Sequence, residues 1–143
     1  MRRIVIASHG DMAKGMLHTA RMIMGERENL SFHSLQEGEM PQHLLEELRA
    51  QIHRFPHDSF IILGDLLGGS VCSQLIHLVE EPNVHVISGM NLCMLLSVCM
   101  AEEQRDDEEV VREAIEESKR NMVYLNDLWK RKEEILNDQD DEN

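Results

Sequence analysis

Aromatic side chains are scarce in this sequence: one Trp, one Tyr and three Phe make up 3% of its 143 residues. Its core must therefore come from Leu, Ile, Val and the 10 Met. Long apolar runs are missing as well. The longest, Leu92 to Ala101, is too short to span a bilayer. Basic charge is sparse, with 14 Lys and Arg against 27 Asp and Glu and a net charge of −13. A nucleic-acid backbone would be repelled by that balance, and no basic patch interrupts it, so nucleic acid is excluded as a partner. Cysteine is limited to Cys72, Cys93 and Cys99, an odd number set in apolar stretches without CxxC spacing. Such residues read as buried thiols in a reducing cytoplasm. Neither a Walker A sequence nor a kinase glycine loop occurs, which argues against nucleotide binding. Met1-Arg2-Arg3 leads straight into a strand, and Ser8-His9-Gly10 interrupts any signal-peptide core, so the expected location is cytoplasmic.

What is present is enough for one ordinary domain. Apolar residues form 42% of the chain, as expected of a globular protein and not of a disordered one. Charge is uneven: residues 102–143 carry 16 acids against 7 bases, and residues 1–101 carry 11 against 7. The acidic end reads as a solvated helix face with a frayed tail, able also to steer a basic partner. We place the domain at 1–130 and the acidic tail at 131–143.

The first hundred residues alternate between two periods. Ile4-Val5-Ile6-Ala7 is a short, wholly apolar run, as a parallel strand covered on both faces requires. Residues 11–24 place Met12, Met16, Ala20 and Met24 at steps of four, closed by Gly25 as a C-terminal cap. A weaker strand runs from Asn29 to Leu35, before the Gly38/Pro41 break. Leu44, Leu45, Leu48, Ile52 and Phe55 mark a second amphipathic helix with Pro41 near its start. The pattern then repeats. Phe60-Ile61-Ile62-Leu63 is a strand, and residues 70–80 form a helix with Val71, Leu75, Ile76 and Val79 inward. Val84 to Ile87 is a fourth strand, and residues 91–103 form a helix around Leu92, Leu95, Leu96 and Cys99. Four such units predict an α/β fold: a doubly wound, mostly parallel sheet with right-handed crossovers and strand order 2-1-3-4. From 107 to 136, Val111, Ile115, Ser118, Met122, Leu125, Trp129 and Leu136 follow helical spacing, although Met122-Val123-Tyr124-Leu125 is locally β-prone.

In open α/β sheets ligands bind beyond the carboxyl ends of the strands, where the strand order reverses. Strand one ends in Ser8-His9-Gly10, strand three in Asp65-Leu66-Leu67-Gly68-Gly69-Ser70, and strand four in Ser88-Gly89-Met90-Asn91. The order 2-1-3-4 makes strands one and three neighbours, so His9 and Asp65 face each other across one crevice. A carboxylate accepting the Nδ1 hydrogen of an imidazole fixes the tautomer and leaves Nε2 as a nucleophile. It also stabilises the cation formed when the ring takes up a phosphoryl group. Gly68-Gly69-Ser70 opens a helix whose backbone N–H groups suit a phosphate. Taken singly, each element has an ordinary role: His9 as a structural hydrogen-bonder, the glycines as a turn, Asp65 as a helix cap. Their adjacency favours chemistry. His53 and His57 are four apart, but Pro56 breaks the helical geometry between them. His18, His33, His43, His77 and His85 lack ligand spacing. No metal site is expected.

With those residues in place, the sequence resembles the IIA component of the mannose-type sugar phosphotransferase system, over residues 3 to about 120. The resemblance rests on Ile4-Val5-Ile6-Ala7-Ser8-His9-Gly10 before a Met/Leu-rich helix, on Asp65-Leu66-Leu67-Gly68-Gly69-Ser70, and on Gly89-Met90-Asn91-Leu92-Cys93-Met94-Leu95. It implies that His9 accepts phosphate from the phosphocarrier HPr and donates it to a IIB component, which phosphorylates sugar imported through membrane IIC and IID components. The only cofactor-like species implied is the covalent phosphohistidine itself. Asp65 is implied as the orienting carboxylate, and Gly69 and Ser70 as phosphate contacts. Gly68 belongs to the same phosphate loop, with Ser8, Gly10 and Asn91 in supporting positions. A homodimer is also implied, in which residues 121–126 form an exchanged strand antiparallel to the sheet. Val71 and Cys93 stand where the family usually has Pro, which bears on loop rigidity and not on the reaction. No IIB sequence follows, so the expected form is a free-standing IIA or one whose partners are separate chains. One alternative is the phosphotransfer subunit of a dihydroxyacetone kinase, whose second loop resembles MGSA and not GGS. A histidine phosphatase is disfavoured because Ser8 replaces the arginine of its Arg-His-Gly motif. A non-transport regulatory phosphorylation domain is the third.

Overall fold

A computed structural model describes residues 1–141. Four strands form one sheet, β1 (Arg2–His9), β2 (Leu30–Leu35), β3 (Ser59–Gly64) and β4 (Val84–Ile87), in the order β2-β1-β3-β4 with every pair parallel. The helices are α1 (Met12–Met24), α2 (Pro41–Arg54), α3 (Ser70–Leu75), α4 (Leu92–Met100), α5 (Asp107–Asn121) and α6 (Leu125–Asp141). Strand β1 sits at the centre. Ile4 and Ile6 point to one face, against Ala13, Leu17, Met94, Leu95, Val98, Val110 and Ala114. Val5 and Ala7 point to the other, against Leu44, Leu48, Ile52, Val71 and Leu75. Alternating side chains thus bury both faces of one strand, which is why its sequence lacks polar alternation.

Several details differ from the sequence-based expectations. The buried stripe of α1 is Ala13, Leu17 and Ala20, while Met12 is half exposed. Steps of four overshoot a helical turn of about 3.6 residues, so the Met12 series drifts around the helix, whereas 13, 17 and 20 hold one face. Helix α3 tightens into a 3-10 turn over Ile76–Glu80. With about three residues per turn, Leu75 and Leu78 stay inward while Ile76 and Val79 swing out to solvent. Helix α4 stops at Met100 because Ala101 is extended, and it buries Met94, Leu95, Val98 and Cys99, leaving Leu92 and Leu96 partly exposed.

Residues 107–136 are not one helix. Helix α5 closes with the Met122 N–H donating to Lys119 O, Met122 itself being extended, and α6 begins at Leu125. Within the single chain residues 121–126 form no strand; a strand exchanged between two chains needs the second chain. Helix α6 runs through the expected domain boundary at 130, so the described part of the tail, 131–141, continues it. Residues 142–143 of that tail lie outside the described residues. No helix among the described residues is long and apolar enough to cross a membrane.

At the lower end of the sheet, Arg2 is 5% exposed and fastens β1 to the α4–α5 turn. Its Nε donates to Asp107 Oδ1 at 2.7 Å and its Nη2 to Arg105 O at 2.7 Å. Asp58 receives both the N-terminal ammonium and Arg3 Nε, which hold its carboxyl below the ordinary value. These contacts brace the end of the sheet remote from the site.

Candidate functional site

The site forms at the carboxyl ends of β1 and β3, where the chain leaves neighbouring strands in opposite directions. Strand β1 delivers His9 as its last residue, and Gly10 turns the chain with φ +56°. The Gly10 N–H donates to Leu35 O at 2.8 Å, anchoring the turn to β2. Ser8 lies behind the site and is fully buried, with its Oγ accepting the Ala13 N–H at 2.7 Å. Its hydroxyl therefore satisfies the start of α1 and does not face the crevice.

Asp65 follows β3. One carboxylate oxygen, Oδ2, accepts the His9 backbone N–H at 2.8 Å and lies 2.6 Å from His9 Nδ1; Oδ1 accepts the Leu66 N–H at 2.7 Å. Burial pushes the Asp65 carboxyl up, but the backbone and ring donors of His9 and the Leu66 N–H outweigh it, and the net effect holds the carboxyl below its ordinary value. An ionised carboxylate only accepts, so Nδ1 carries the hydrogen and, in the neutral ring, Nε2 carries the lone pair. Asp65 does not cap α3: the N-cap is Gly69, with no side-chain cap bond.

The loop between Asp65 and α3 closes around the imidazole. Gly68 has φ +84°, a conformation that favours glycine, and lets the Gly69 N–H return to Leu66 O at 3.0 Å. A Cβ on Gly69 would stand 3.3 Å from His9 Cε1 and 3.2 Å from Leu66 O, so a side chain there would crowd the ring unless the loop gave by a few tenths of an ångström. Ser70 Oγ then reaches His9 Nε2 at 2.8 Å. The ring is thus held at both nitrogens, yet the His9 side chain remains 48% exposed.

His9, Asp65, Gly69 and Ser70 are brought into direct contact, while Gly68 and Gly10 shape the turns. Asn91 stands apart from the imidazole: its Oδ1 accepts the Met94 N–H at 2.9 Å as the N-cap of α4, and its Nδ2 donates to Gly89 O. Val71, at a usual family proline position, is fully buried against α2 and β3, and Cys93 lies in the first turn of α4. The sequence reading missed the β2–α2 loop. Together with His9, Gly10 and Ser70, Leu35, Gln36, Glu37, Glu39 and Pro41 line an open groove of about 660 Å³. The available signal was the strand order itself, since β2 ends beside β1 and its following loop must overlook the same crevice.

Comparison with known proteins agrees with this fold. The family described as the PTS system fructose IIA component, EIIA-man, matches residues 3–116. The mannose-specific EIIAB component of Escherichia coli (strain K12) is 33% identical over 130 residues, covering 85% of this chain and 39% of the relative. This chain therefore spans well under half the length of that relative. The fructose-specific EIIA component of Bacillus subtilis (strain 168) is 28% identical over 100 residues, 68% of each chain. The crystal structure of phosphotransferase system component EIIA from Streptococcus agalactiae superposes with a TM-score of 0.80 at 25% identity, covering 88% of this chain and 98% of that one. These matches do not favour the dihydroxyacetone-kinase or regulatory readings. A parallel 2-1-3-4 sheet, a histidine at its switch point and a match over most of the domain lead to one assignment: the chain belongs to the EIIA-man family, the IIA components of the sugar phosphotransferase system.

Proposed function

We propose that His9 is the phosphoryl-carrying residue, accepting phosphate at Nε2 from HPr and releasing it to a IIB component during coupled sugar import and phosphorylation. The observation that carries this reading is the 2.6 Å contact between His9 Nδ1 and an Asp65 carboxylate that itself accepts two backbone N–H groups. Asp65 fixes the reactive tautomer, and its charge compensates the cationic ring formed when Nε2 bonds phosphorus. The phosphoryl group sits over Gly69, which presents no side chain, and within reach of the Ser70 hydroxyl. Phosphohistidine is the only intermediate, and no metal or organic cofactor takes part.

The surroundings support protein partners over a small substrate. His9 opens onto a groove edged by Glu37 and Glu39, and the nearby chain exposes Met12, Met40, Leu66 and Leu67. An apolar patch with an acidic margin suits a partner that presents an apolar surface ringed with basic residues. The protein works in the cytoplasm, against the membrane IIC and IID components only through IIB. It acts as a homodimer, for which Met122, Val123, Tyr124, Leu125, Leu128 and Trp129 offer a run of exposed large apolar side chains.

Incubation with phosphoenolpyruvate, enzyme I and HPr is expected to add one acid-labile, base-stable phosphate per chain. His9→Ala or His9→Gln abolishes the label, whereas replacement of His18 or His77 leaves it. Label persisting in the His9 variants refutes the assignment.

A further inference from the structure

We propose that Ser70 masks the His9 nucleophile: in the empty carrier its hydroxyl occupies the Nε2 lone pair, and it must turn away before phosphorus can be attacked. This rests on the function proposed above but concerns a step that function does not specify. Three observations carry it. Asp65 holds the hydrogen at Nδ1, which leaves Nε2 as an acceptor in the neutral ring. Ser70 Oγ stands 2.8 Å from that nitrogen, so its O–H donates along the lone pair that must form the new bond. Ser70 is also exposed and shares the open groove with His9, so its side chain has space to rotate without disturbing the core.

The geometry separates two roles for one hydroxyl. A hydrogen bond made to the nucleophile before reaction stabilises the ground state and slows attack. After transfer the same O–H can donate to a phosphoryl oxygen. Serine is therefore a brake on loading and a support for the loaded state. A hydroxyl that only contacts the bound phosphate predicts slower loading when it is removed; a mask predicts faster loading.

A small donor separates the two without any partner protein. In N-protonated phosphoramidate the phosphorus–nitrogen bond breaks, ammonia leaves with the electron pair, and the Nε2 lone pair forms the new bond while the Nδ1 proton stays on the His9 ring, hydrogen-bonded to the Asp65 carboxylate. The full chain and its Ser70→Ala, Ser70→Gly and Ser70→Thr variants are treated at about pH 8.5, where an ordinary imidazole is neutral. Labelling is followed residue by residue by mass spectrometry, with the exposed His18 and His77 as internal references. A neutral hydrogen bond of about 1 kcal/mol converts to roughly fivefold, so His9 labels about fivefold faster in Ser70→Ala and Ser70→Gly. Ser70→Thr restores the slower rate. In parallel, ring-nitrogen NMR of Ser70→Ala shows the hydrogen still at Nδ1 while the Nε2 resonance moves toward that of a free imine nitrogen. An unchanged or slower His9 rate in both deletion variants overturns the proposal, as does an Nε2 resonance that does not move. Because phosphoramidate bypasses HPr, failure of transfer from HPr refutes the proposed function and leaves this result to be judged separately.

Discussion

Replacing Asp65 by Asn keeps the side chain's shape and changes what it can accept. In the native site its two oxygens receive three hydrogens, from His9 N at 2.8 Å, His9 Nδ1 at 2.6 Å and Leu66 N at 2.7 Å. An amide has one accepting oxygen. If its NH₂ takes the Oδ1 position, it meets the Leu66 N–H. If it takes the Oδ2 position, it meets both His9 donors, and the ring is driven to the tautomer with hydrogen on Nε2, where the nucleophile should be. Either way a charge-assisted bond is lost and a donor is left facing a donor. Taking about 1.5 kcal/mol for each of two such effects gives roughly 3 kcal/mol, or about a hundredfold in rate. The assay is the initial rate of phosphorylation by HPr, with circular dichroism to establish that the variant is folded. A folded Asp65→Asn protein phosphorylated at the wild-type rate refutes the tautomer argument and reduces Asp65 to a loop-closing residue. The same substitution has a signature in acid. Because the folded-state pKa of Asp65 lies below 3.8, the carboxylate's contribution to stability is complete above that value and is lost as pH falls through the folded pKa. The stability gap between wild type and Asp65→Asn therefore narrows on acidification below about pH 4.

Two further outcomes are expected. Gly64→Ala would place a Cβ 2.5 Å from Cys72 Sγ and 2.9 Å from Leu75 Cδ1, both buried, so it should destabilise the fold by about 1–3 kcal/mol in urea denaturation; Cys72→Ala in the same chain should recover part of that loss, and a neutral single variant counts against the packing described. If the chain forms the proposed homodimer, truncation after Asn121, where α5 closes, should yield a monomer by light scattering, since it removes the exposed apolar run from Met122 onward; a stable dimer of the shortened chain refutes the C-terminal interface.

The sequence carried the parts of this fold that depend on local period. Wholly apolar runs at 4–7 and 60–63 marked strands buried on both faces, and the alternation with amphipathic helices implied the parallel 2-1-3-4 sheet that forms. Strand order then brought His9 and Asp65 to one edge before any distance was known. Where periodicity was read too literally it pointed to the wrong face. Met12 and Val79 fit helical steps but face solvent, because a fixed step of four drifts in an α-helix and a 3-10 turn changes the step. The interruption at Met122 is likewise invisible to spacing, since Ser118, Met122 and Leu125 keep helical intervals across it.

What the sequence by itself determined was which residue types stand at the ends of which strands, because hydrophobic burial imposes a period on each segment and the rules of parallel connection impose the order. Tertiary structure alone decided how those ends meet. Ser8 and Asn91, polar residues at the same edge, are turned to cap α1 and α4, since unpaired helix N–H groups nearby claim their oxygens. Ser70, 61 residues beyond His9, is turned onto Nε2 because a left-handed Gly68 and a Gly69 without a side chain let the loop pass against the ring. The β2–α2 loop becomes a wall of the groove only when β2 is laid beside β1. A hydrogen bond between residues this far apart depends on the direction in which each loop releases its side chain, and no local pattern in the sequence encodes that direction.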